Sequence, residues 1–259
     1  MRTSFHNTAA QKMTAGRWSA KGQNAVIRSF VASRKKYLFI KRGFDILFST
    51  LILLLLMSWL LPLIALLIKI DSKGPVFFRQ KRIGRNGKPF YCIKFRTMIK
   101  NKEADERPAE ENDERITKAG KILRRTNLDE LPQFFNVVAG QMSIVGPRPH
   151  MMADCIRFSF VIPSYQFREL IRPGITGWAQ VNGFHGLTAD YESIILRYYW
   201  DAQYVRKAGL WLDLKIIGAT LIQSMRNMKA AIIDIFRPKQ KKNKPGVTVE
   251  ISSDEEFSV

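Results

Sequence analysis

Residues 46–68 read ILFSTLILLLLMSWLLPLIALLI and contain no charged side chain. An uncharged run of this length is long enough to cross the hydrocarbon core of a bilayer as a helix. It begins well inside the chain and is longer than the apolar part of a secretory signal peptide, which argues against that interpretation. We therefore predict a membrane helix over residues 37–70.

Basic residues flank this run on both sides. Lys41 and Arg42 precede it, and a longer series follows it: Lys69, Lys73, Arg79, Lys81, Arg82 and Arg85. Because positive charge prefers the cytoplasmic side of a membrane, both ends of the helix favour that side. Pro62 removes one helix hydrogen bond, so a helix that enters, bends and returns would satisfy both flanks. A plain membrane-spanning helix is the alternative.

The whole chain is strongly basic. It has 259 residues, with 42 Lys and Arg against 22 Asp and Glu, and a formal net charge of +20. Such a charge indicates polyanionic partners, namely nucleic acid, anionic lipid or phosphorylated substrates. The two cysteines, Cys92 and Cys155, are too few for a disulfide framework, and we expect both to be small buried residues. The scattered histidines, His6, His150 and His185, do not have the spacing of a zinc site.

Charge and periodicity divide the rest of the chain. Residues 1–36 are basic and lack acidic side chains, which predicts a disordered arm, with a transit peptide as the alternative. Residues 71–236 combine short apolar runs with helical spacing and predict a compact, mostly helical α/β domain. Residues 237–259 form a tail that is first basic and then acidic.

Several local elements are expected inside this domain. Strands are expected at residues 76–78 and 90–95, joined by a turn at residues 84–87. Apolar residues recur at helical spacing between residues 116 and 123, and a second helix is expected at about residues 129–138.

Two further local features concern helices. Asn127 and Glu130 have the spacing of a capping box. The apolar-rich stretch 211–235 suits a long helix that lies in a membrane interface, although a buried core helix is the alternative.

Two adjacent carboxylates, Asp129 and Glu130, are unusual in a chain that is short of acidic residues. They follow Arg124 and Arg125 at an expected helix start, where free backbone N–H groups can bind phosphate. Adjacent carboxylates repel each other unless cations or a metal ion share the site. A nucleophile beside a metal ligand would use such a pair, whereas the alternative is that both acids only complement the helix dipole.

Two loop motifs also carry candidate binding groups. Arg148 stands between Pro147 and Pro149, which fix its backbone and can aim its guanidinium at a phosphate. A rigid loop with a solvated arginine is the alternative. Residues 172–183 contain three glycines and Trp178 and predict a tight loop-and-strand segment. The alternative is a well-packed turn without a binding role, which the spacing alone favours.

The order of these motifs resembles the bacterial sugar transferase family, the monotopic polyprenol-phosphate sugar-1-phosphate transferases, over about residues 37–230. The motifs that carry the resemblance are the Lys41-Arg42-Gly43-Phe44-Asp45 segment before the apolar run, Gly74-Pro75-Val76, Gln80-Lys81-Arg82-Ile83-Gly84, Lys94-Phe95-Arg96-Thr97-Met98, Leu128-Asp129-Glu130-Leu131-Pro132-Gln133, Gly146-Pro147-Arg148-Pro149 and Arg172-Pro173-Gly174-Ile175-Thr176-Gly177-Trp178.

The resemblance implies an enzyme that transfers a sugar-1-phosphate from a UDP-sugar to undecaprenyl phosphate and releases UMP, the first step of exopolysaccharide, capsule, O-antigen or glycoprotein glycan assembly. It implies that Asp129 is the nucleophile of a covalent aspartyl-phosphosugar intermediate. Glu130, together with Asp129, would hold Mg²⁺. The expected phosphate or nucleotide contacts are Lys94, Arg96, Arg124, Arg148, Arg172 and Asp201.

The resemblance also implies a kinked re-entrant helix with both ends cytoplasmic, and a cytosolic catalytic domain with interfacial amphipathic helices. The expected location is the cytoplasmic face of the bacterial inner membrane, with membrane lipids as partners, no nucleic acid, and a homodimer left open. The family usually carries Ser-Pro at the helix break, whereas here Ser58 precedes Trp59 and the proline is Pro62, so the kink would be displaced. Arg168-Glu169 also stands where the family often has Arg-His.

A different class of protein also fits the charge. A non-enzymatic, membrane-attached module that binds anionic lipid or nucleic acid would account for the net charge of +20. It would not account for the pair Asp129 and Glu130 or for the loop around Arg148.

Overall fold

The computed structural model describes residues 20–99, 113–184 and 191–236. It is mostly helical, with two small sheets, as the predicted mostly helical α/β class requires. Short 3-10 turns lie between several of the regular elements. The helices and strands are α1 (Ala20–Ile52), α2 (Ser58–Asp71), β1 (Phe77–Ile83), β2 (Pro89–Phe95), α3 (Lys118–Arg125), α4 (Gln133–Val138), β3 (Ser143–Val145), α5 (Met152–Val161), β4 (Gly174–Thr176), α6 (Trp178–Val181), α7 (Tyr191–Lys207) and α8 (Leu210–Phe236).

Among the described residues, one helix is long and apolar enough to cross a membrane, and it covers Ser33–Asp71. It belongs to α1 and α2, and α1 already begins at Ala20, inside the segment 1–36 for which we expected disorder. The tail at residues 237–259 lies outside the described residues. Large apolar side chains are exposed along the whole apolar helix: Phe39, Ile40, Ile46, Leu47, Leu51, Leu54, Leu55, Trp59, Leu63, Leu66, Leu67 and Ile70. A surface of this kind is unfavourable in water and favourable in lipid.

The backbone of this helix is irregular near its middle. Leu53–Met57 form a π turn between α1 and α2, directly before Ser58. Pro62 follows inside α2 and cannot donate the usual hydrogen bond to a preceding turn. π turns and prolines are the usual origins of helix kinks. The irregularity begins at Leu53, about one turn before Ser58 and Pro62, the two residues at which a kink was predicted.

Both ends of the apolar helix are anchored to the same globular domain. On the α1 side, the Asp45 carboxylate accepts a hydrogen bond from Ile144 N at 3.1 Å. On the α2 side, the Asp71 carboxylate accepts one from Ala119 N at 2.8 Å. Ile64 and Ile68 of α2 are buried in a cluster with Met57, Phe95 and Leu123.

An antiparallel hairpin forms the first sheet. β1 and β2 pair with Phe77 opposite Phe95. This confirms the strand predicted at residues 90–95, whereas β1 is longer than the strand predicted at residues 76–78 and continues to Ile83. The turn between them contains Asn86 and Gly87, both with positive φ (58° and 72°), so it reverses the chain as predicted. The hairpin places Lys94 near the end of β2, beside the segment that carries the two adjacent acids.

A short parallel pair, β3 and β4, forms the second sheet. The predicted tight segment is confirmed there, because Gly146, Gly174 and Gly177 bring two backbone segments into close contact. A Cβ on Gly174 would lie 2.1 Å from Gly146 N, a distance that no side chain can occupy. This contact fixes the loop in which Arg148 follows two residues later.

The main core lies between the part of α1 that carries Tyr37, Phe44 and Phe48, the sheets and the C-terminal helices. It includes Cys92 of β2, Tyr204 of α7 and Ile216 of α8. Cys92 and Cys155 are both buried and form no disulfide, as predicted. Helix α8 confirms the long helix expected at residues 211–235. Along α8, Ile216 and Ala231 are buried, whereas a second set of apolar side chains is exposed: Leu210, Trp211, Leu214, Leu221, Ile222, Met225, Met228, Ile232 and Ile233.

Candidate active site

The two adjacent acids lie in a single 3-10 turn, Leu128–Glu130, between α3 and α4. Helix α3 ends at Arg125, and Asn127 then adopts a left-handed conformation with φ of 58°. An N-cap residue needs an extended backbone, so the predicted capping box between Asn127 and Glu130 is wrong. The left-handed residue redirects the chain, and the Glu130 side chain points to two cations instead.

Glu130 is held by Lys94 and Arg148. Its Oε1 accepts hydrogen bonds from Lys94 Nζ and Arg148 Nη2, each at 2.6 Å, and its Oε2 accepts one from Arg148 Nη1 at 3.2 Å. The two Arg148 bonds form a bidentate fork, the strongest geometry for this pair. Burial alone would raise the pKa of Glu130, but the charges of Arg148 and Lys94 outweigh it and hold the pKa well below its usual range.

Asp129 has the opposite environment. Its side chain is buried, with 8% of the residue exposed. Within the described ranges, no hydrogen bond to its carboxylate is present, and its oxygens still reach solvent. Burial, and next the charge of Glu130, raise the pKa of Asp129 to about 6 against the pull of Lys94 and Arg124. Neighbouring carboxyl groups with separated pKa values are typical of divided roles in catalysis.

Arg148 is positioned from behind by a buried ion pair. Arg168 Nη2 donates to the backbone oxygen of Arg148 at 2.6 Å and to Asp201 Oδ2 at 2.7 Å. Arg168 and Asp201 are 5% and 1% exposed, so water does not compete with this contact. Sequence reasoning did not assign Arg168 to the site, although it noted that Arg168-Glu169 departs from the family pattern.

The other predicted binding residues fall into two groups. Arg124 lies beside the site, where its Nε donates to Thr97 Oγ1 at 2.8 Å and its charge interacts with Asp129. Arg96 instead donates to Ser72 and to the backbone oxygen of Pro75, so it holds the segment that leaves the apolar helix.

Arg172 and Asp201 also have other contacts. The Arg172 Nε donates to Gly140 O at 2.8 Å, away from the two acids. Asp201 lies behind Arg148, where burial raises its pKa although Arg168 opposes the shift. The structure therefore brings Lys94, Arg124 and Arg148 together with the acid pair. Direct substrate contacts of Arg96, Arg172 and Asp201 stay predictions.

The carboxylates of the acid pair could supply some of the oxygen ligands that Mg²⁺ prefers. Among residues 20–99, 113–184 and 191–236, no three His, Cys, Asp or Glu side chains converge. Magnesium commonly uses one or two carboxylates, with substrate phosphates and water completing its shell, so a third acid is not required. Asp129 offers uncommitted carboxylate oxygens, whereas both oxygens of Glu130 already accept hydrogen bonds from cations.

Comparison with known proteins adds an independent line of evidence. The model of the family described as bacterial sugar transferase matches residues 36–227. The chain is 48% identical over 192 residues to a UDP-glucose:undecaprenyl-phosphate glucose-1-phosphate transferase of Escherichia coli (strain K12), covering 74% of this chain and 41% of that protein. It is 44% identical over 186 residues to a UDP-N-acetylgalactosamine-undecaprenyl-phosphate N-acetylgalactosaminephosphotransferase of Aeromonas hydrophila, covering 71% and 43%.

A shorter relative aligns over nearly its whole length. The exopolysaccharide production protein PSS of Rhizobium leguminosarum bv. phaseoli is 43% identical over 197 residues, which is 74% of this chain and 98% of that protein. The chain thus spans about two fifths of the length of the two larger relatives. The residues that the family model matches include the acid pair and the loop around Arg148 of this chain.

Proposed function

The chain belongs to the bacterial sugar transferase family, and we propose that it transfers a sugar-1-phosphate from a UDP-sugar to undecaprenyl phosphate, releasing UMP. The observation that carries this proposal is Asp129, a buried carboxylate without a hydrogen-bond partner in the described residues, beside a neighbour held by two cations. The two larger relatives are named for glucose and for N-acetylgalactosamine transfer to the same lipid. Glycan assembly, including exopolysaccharide production, is the corresponding pathway class.

We propose two displacement steps at one phosphorus atom. An Asp129 carboxylate oxygen attacks the β-phosphorus of the UDP-sugar, a new O–P bond forms, and the bond between this phosphorus and the bridging oxygen breaks. UMP leaves with that oxygen and the electron pair. A phosphate oxygen of undecaprenyl phosphate then attacks the same phosphorus, and the Asp129 carboxylate is released. The covalent step lets one site serve a soluble substrate and a lipid substrate in turn.

The cations around the pair would position and neutralise the phosphates. Phosphoryl transfer depends mainly on positioning and charge neutralisation, which Lys94, Arg124 and Arg148 can supply. Mg²⁺, when bound, would neutralise phosphate charge, and the free oxygens of Asp129 fit it better than those of Glu130. A role for Glu130 as a metal ligand would place the ion beside Lys94 and Arg148, whose charges already occupy most of the acceptor sites of this carboxylate. We therefore propose that Glu130 mainly organises these two cations.

We further propose that residues 37–70 form a kinked re-entrant helix at the cytoplasmic face of the inner membrane. The anchoring of Asp45 and Asp71 to one globular domain supports this topology, because a plain span would separate its ends by the bilayer thickness. Residues 71–236 would then form the cytosolic catalytic domain. The exposed apolar side chains of α8 support its placement in the membrane interface. A homodimer stays a prediction.

Release of UMP tests the proposed reaction. Membranes that contain the protein are incubated with Mg²⁺, undecaprenyl phosphate and, separately, UDP-glucose, UDP-galactose and UDP-N-acetylgalactosamine. We expect UMP release with at least one donor, and its loss in Asp129→Asn when equal amounts of folded protein are present. Lack of UMP release with every donor would instead favour the basic, non-enzymatic membrane module.

A further inference from the structure

A second basic site lies away from the acid pair, where α1 meets the globular domain. It is a shallow, open cleft, here called the arginine cleft, lined by Tyr37, Leu38, Lys41, Arg42, Asp45, Arg85, Ser143, Ile171 and Arg172. The two displacement steps proposed above are assigned to the acid pair and its cations, and apart from the predicted substrate contact of Arg172 they give the cleft no part. Its lining combines the first turns of the apolar helix with the β1–β2 turn and the segment before β4.

The arginine cleft carries uncompensated positive charge. Lys41 lies 2.9 Å from Asp213 of α8 and 3.9 Å from Asp45, so Arg42, Arg85 and Arg172 share the one carboxylate of the lining, Asp45, with this lysine. Asp45 in turn accepts a hydrogen bond from a backbone N–H group. Burial lowers the pKa of Arg172, and the charges of Arg42 and Arg85 lower it further. Three guanidinium groups against one acid would favour a bound anion.

Two of these arginines have free donor groups. Arg85 Nε donates to Leu170 O at 3.3 Å, and Arg172 Nε donates to Gly140 O at 2.8 Å. These bonds fix both side chains, and the Nη groups of both have no hydrogen-bond partner in the part of the chain that the structure describes. A guanidinium fixed through Nε presents its remaining donors in a planar fork, which matches phosphate oxygens.

Arg42 has a different part in the cleft. Its two Nη groups donate to Val137 O and Val138 O at the end of α4, so it contributes charge rather than free donors.

The arginine cleft is distant from the acid pair. Arg85 lies in the hairpin turn, whereas Lys94, which contacts Glu130, lies at the far end of β2. From Pro89, where β2 begins just after the turn, to Lys94 the strand advances five residues, which corresponds to about 17 Å at 3.3 Å per residue. The Arg85 end of the cleft and the acid pair therefore lie towards opposite ends of the hairpin.

The arginine cleft also lies at the membrane-proximal end of the domain. Asp45 is the last charged residue before the uncharged run 46–68. Phe39 and Leu47 of the same helix are 82% and 72% exposed, so exposed apolar side chains lie close in sequence to the residues that line the cleft. Basic groups next to an apolar membrane helix lie at the depth of lipid headgroups.

We propose that the arginine cleft binds the phosphate of an anionic phospholipid headgroup, with Arg85 and Arg172 as hydrogen-bond donors. The net charge of the cleft selects an anion, and its position next to the apolar helix selects a lipid over a free phosphate ion. The bound lipid would not react, and would fix how the domain sits on the membrane. This inference depends on membrane attachment and is independent of turnover.

Thermal unfolding of the full chain in non-ionic detergent tests the proposal. A ligand that binds only the folded state raises Tm with its concentration. We expect dioctanoyl-phosphatidylglycerol to raise Tm, and expect dioctanoyl-phosphatidylcholine and inorganic phosphate at the same concentrations to raise it little. Equal shifts with the phosphatidylcholine, or with inorganic phosphate, would overturn the lipid assignment.

Two variants of the same hairpin turn separate the cleft from general charge attraction. Arg85→Gln should weaken the apparent affinity for the phosphatidylglycerol by about tenfold or more, because it removes charge-assisted hydrogen bonds. Lys88→Gln removes the same charge from an exposed position outside the cleft and should retain the affinity. Equal losses in both variants, or none in Arg85→Gln, would contradict the proposal.

Two further variants keep the test decisive. If Arg85→Gln fails to fold, Arg85→Lys keeps the charge and removes the fork, and should still weaken the apparent affinity measurably. An unchanged affinity in Arg85→Lys would then overturn the proposal. Asp129→Asn should respond to the phosphatidylglycerol like the wild type, and loss of its response would place the lipid at the acid pair instead.

Discussion

Replacement of Asp129 by Asn should stabilise the folded protein while it abolishes turnover. Burial and the charge of Glu130 raise the pKa of Asp129 from 3.8 to about 6. The ionised carboxylate is therefore less favourable in the folded chain than in the unfolded chain. A shift of about two units corresponds to about 3 kcal/mol at neutral pH, since one unit is about 1.4 kcal/mol. An uncharged isostere removes most of this cost, and we expect a gain of about 1–3 kcal/mol in the free energy of unfolding.

The pH dependence of this gain has a definite sign. The folded state keeps the Asp129 proton between about pH 4 and pH 6, where the unfolded state releases it, so the wild type loses stability as pH rises through this window. The gain of Asp129→Asn should be full above about pH 7 and fall to about a third of that value near pH 4.5.

Glu130→Gln is the matched control, because it makes the same chemical change one residue away. The pKa of Glu130 lies below its usual range, so its ionised form stabilises the fold fully at neutral pH. This stabilisation is lost only as pH falls below the usual titration range of Glu. Its loss leaves Arg148 and Lys94 without their counter-charge, and we expect a destabilisation of about 3 kcal/mol.

Thermal unfolding of the three proteins, measured in detergent without Mg²⁺ or substrate at a series of pH values, gives these differences directly. A variant Asp129→Asn that is less stable than the wild type at pH 7.5 would refute the reasoning, as would a gain that does not change with pH.

Three further changes have expected outcomes. Single cysteines at positions 36 and 75 should react with a membrane-impermeant thiol reagent from the same side of the membrane, and labelling from opposite sides would show a plain span. Arg148→Lys should lower the rate of UMP release by about a hundredfold, since lysine cannot form the bidentate fork; a rate near that of the wild type would remove the fork from the account. Gly174→Ala should destabilise the fold by more than about 3 kcal/mol in thermal unfolding, because its Cβ would lie 2.1 Å from the backbone nitrogen of Gly146. Gly218→Ala in α8 is the control, because its Cβ would enter open space, and it should be neutral or slightly stabilising. Equal effects of the two changes would contradict the packing described for β3 and β4.

The sequence predicted the regular elements well where the pattern is local. The hairpin, helix α8 and the acid pair follow from alternation, helical spacing and adjacent charges. The π turn at Leu53–Met57 could not be predicted, because a run of leucines carries no signal for the register of helix hydrogen bonds. Ser58 and Pro62 indicated the region but not the position where the backbone first departs from α geometry.

The side-chain partners at the candidate site were harder to predict than its location. Asn127 fits a capping box by spacing, but its left-handed backbone turns Glu130 towards Lys94 and Arg148. Arg96 lies one residue beyond the end of β2, where strand alternation no longer indicates which face a side chain occupies. Such contacts depend on how distant segments meet.

The same limit applies to the support behind the site. Arg168 contacts Arg148 and Asp201, which lie 20 and 33 residues away in sequence. Long-range contacts of this kind have no signature in a single sequence.

The central claim is that Asp129 carries the sugar phosphate during the reaction. The most direct test is to incubate the purified full chain with Mg²⁺ and the UDP-sugar that gives UMP release, in the absence of undecaprenyl phosphate, and to measure UMP and the intact mass of the protein. The account predicts a burst of at most one UMP per chain and a sugar-phosphate adduct that peptide mapping locates on Asp129. The account would be contradicted if the protein turned over with undecaprenyl phosphate present but gave neither a UMP burst nor an adduct when this lipid was left out.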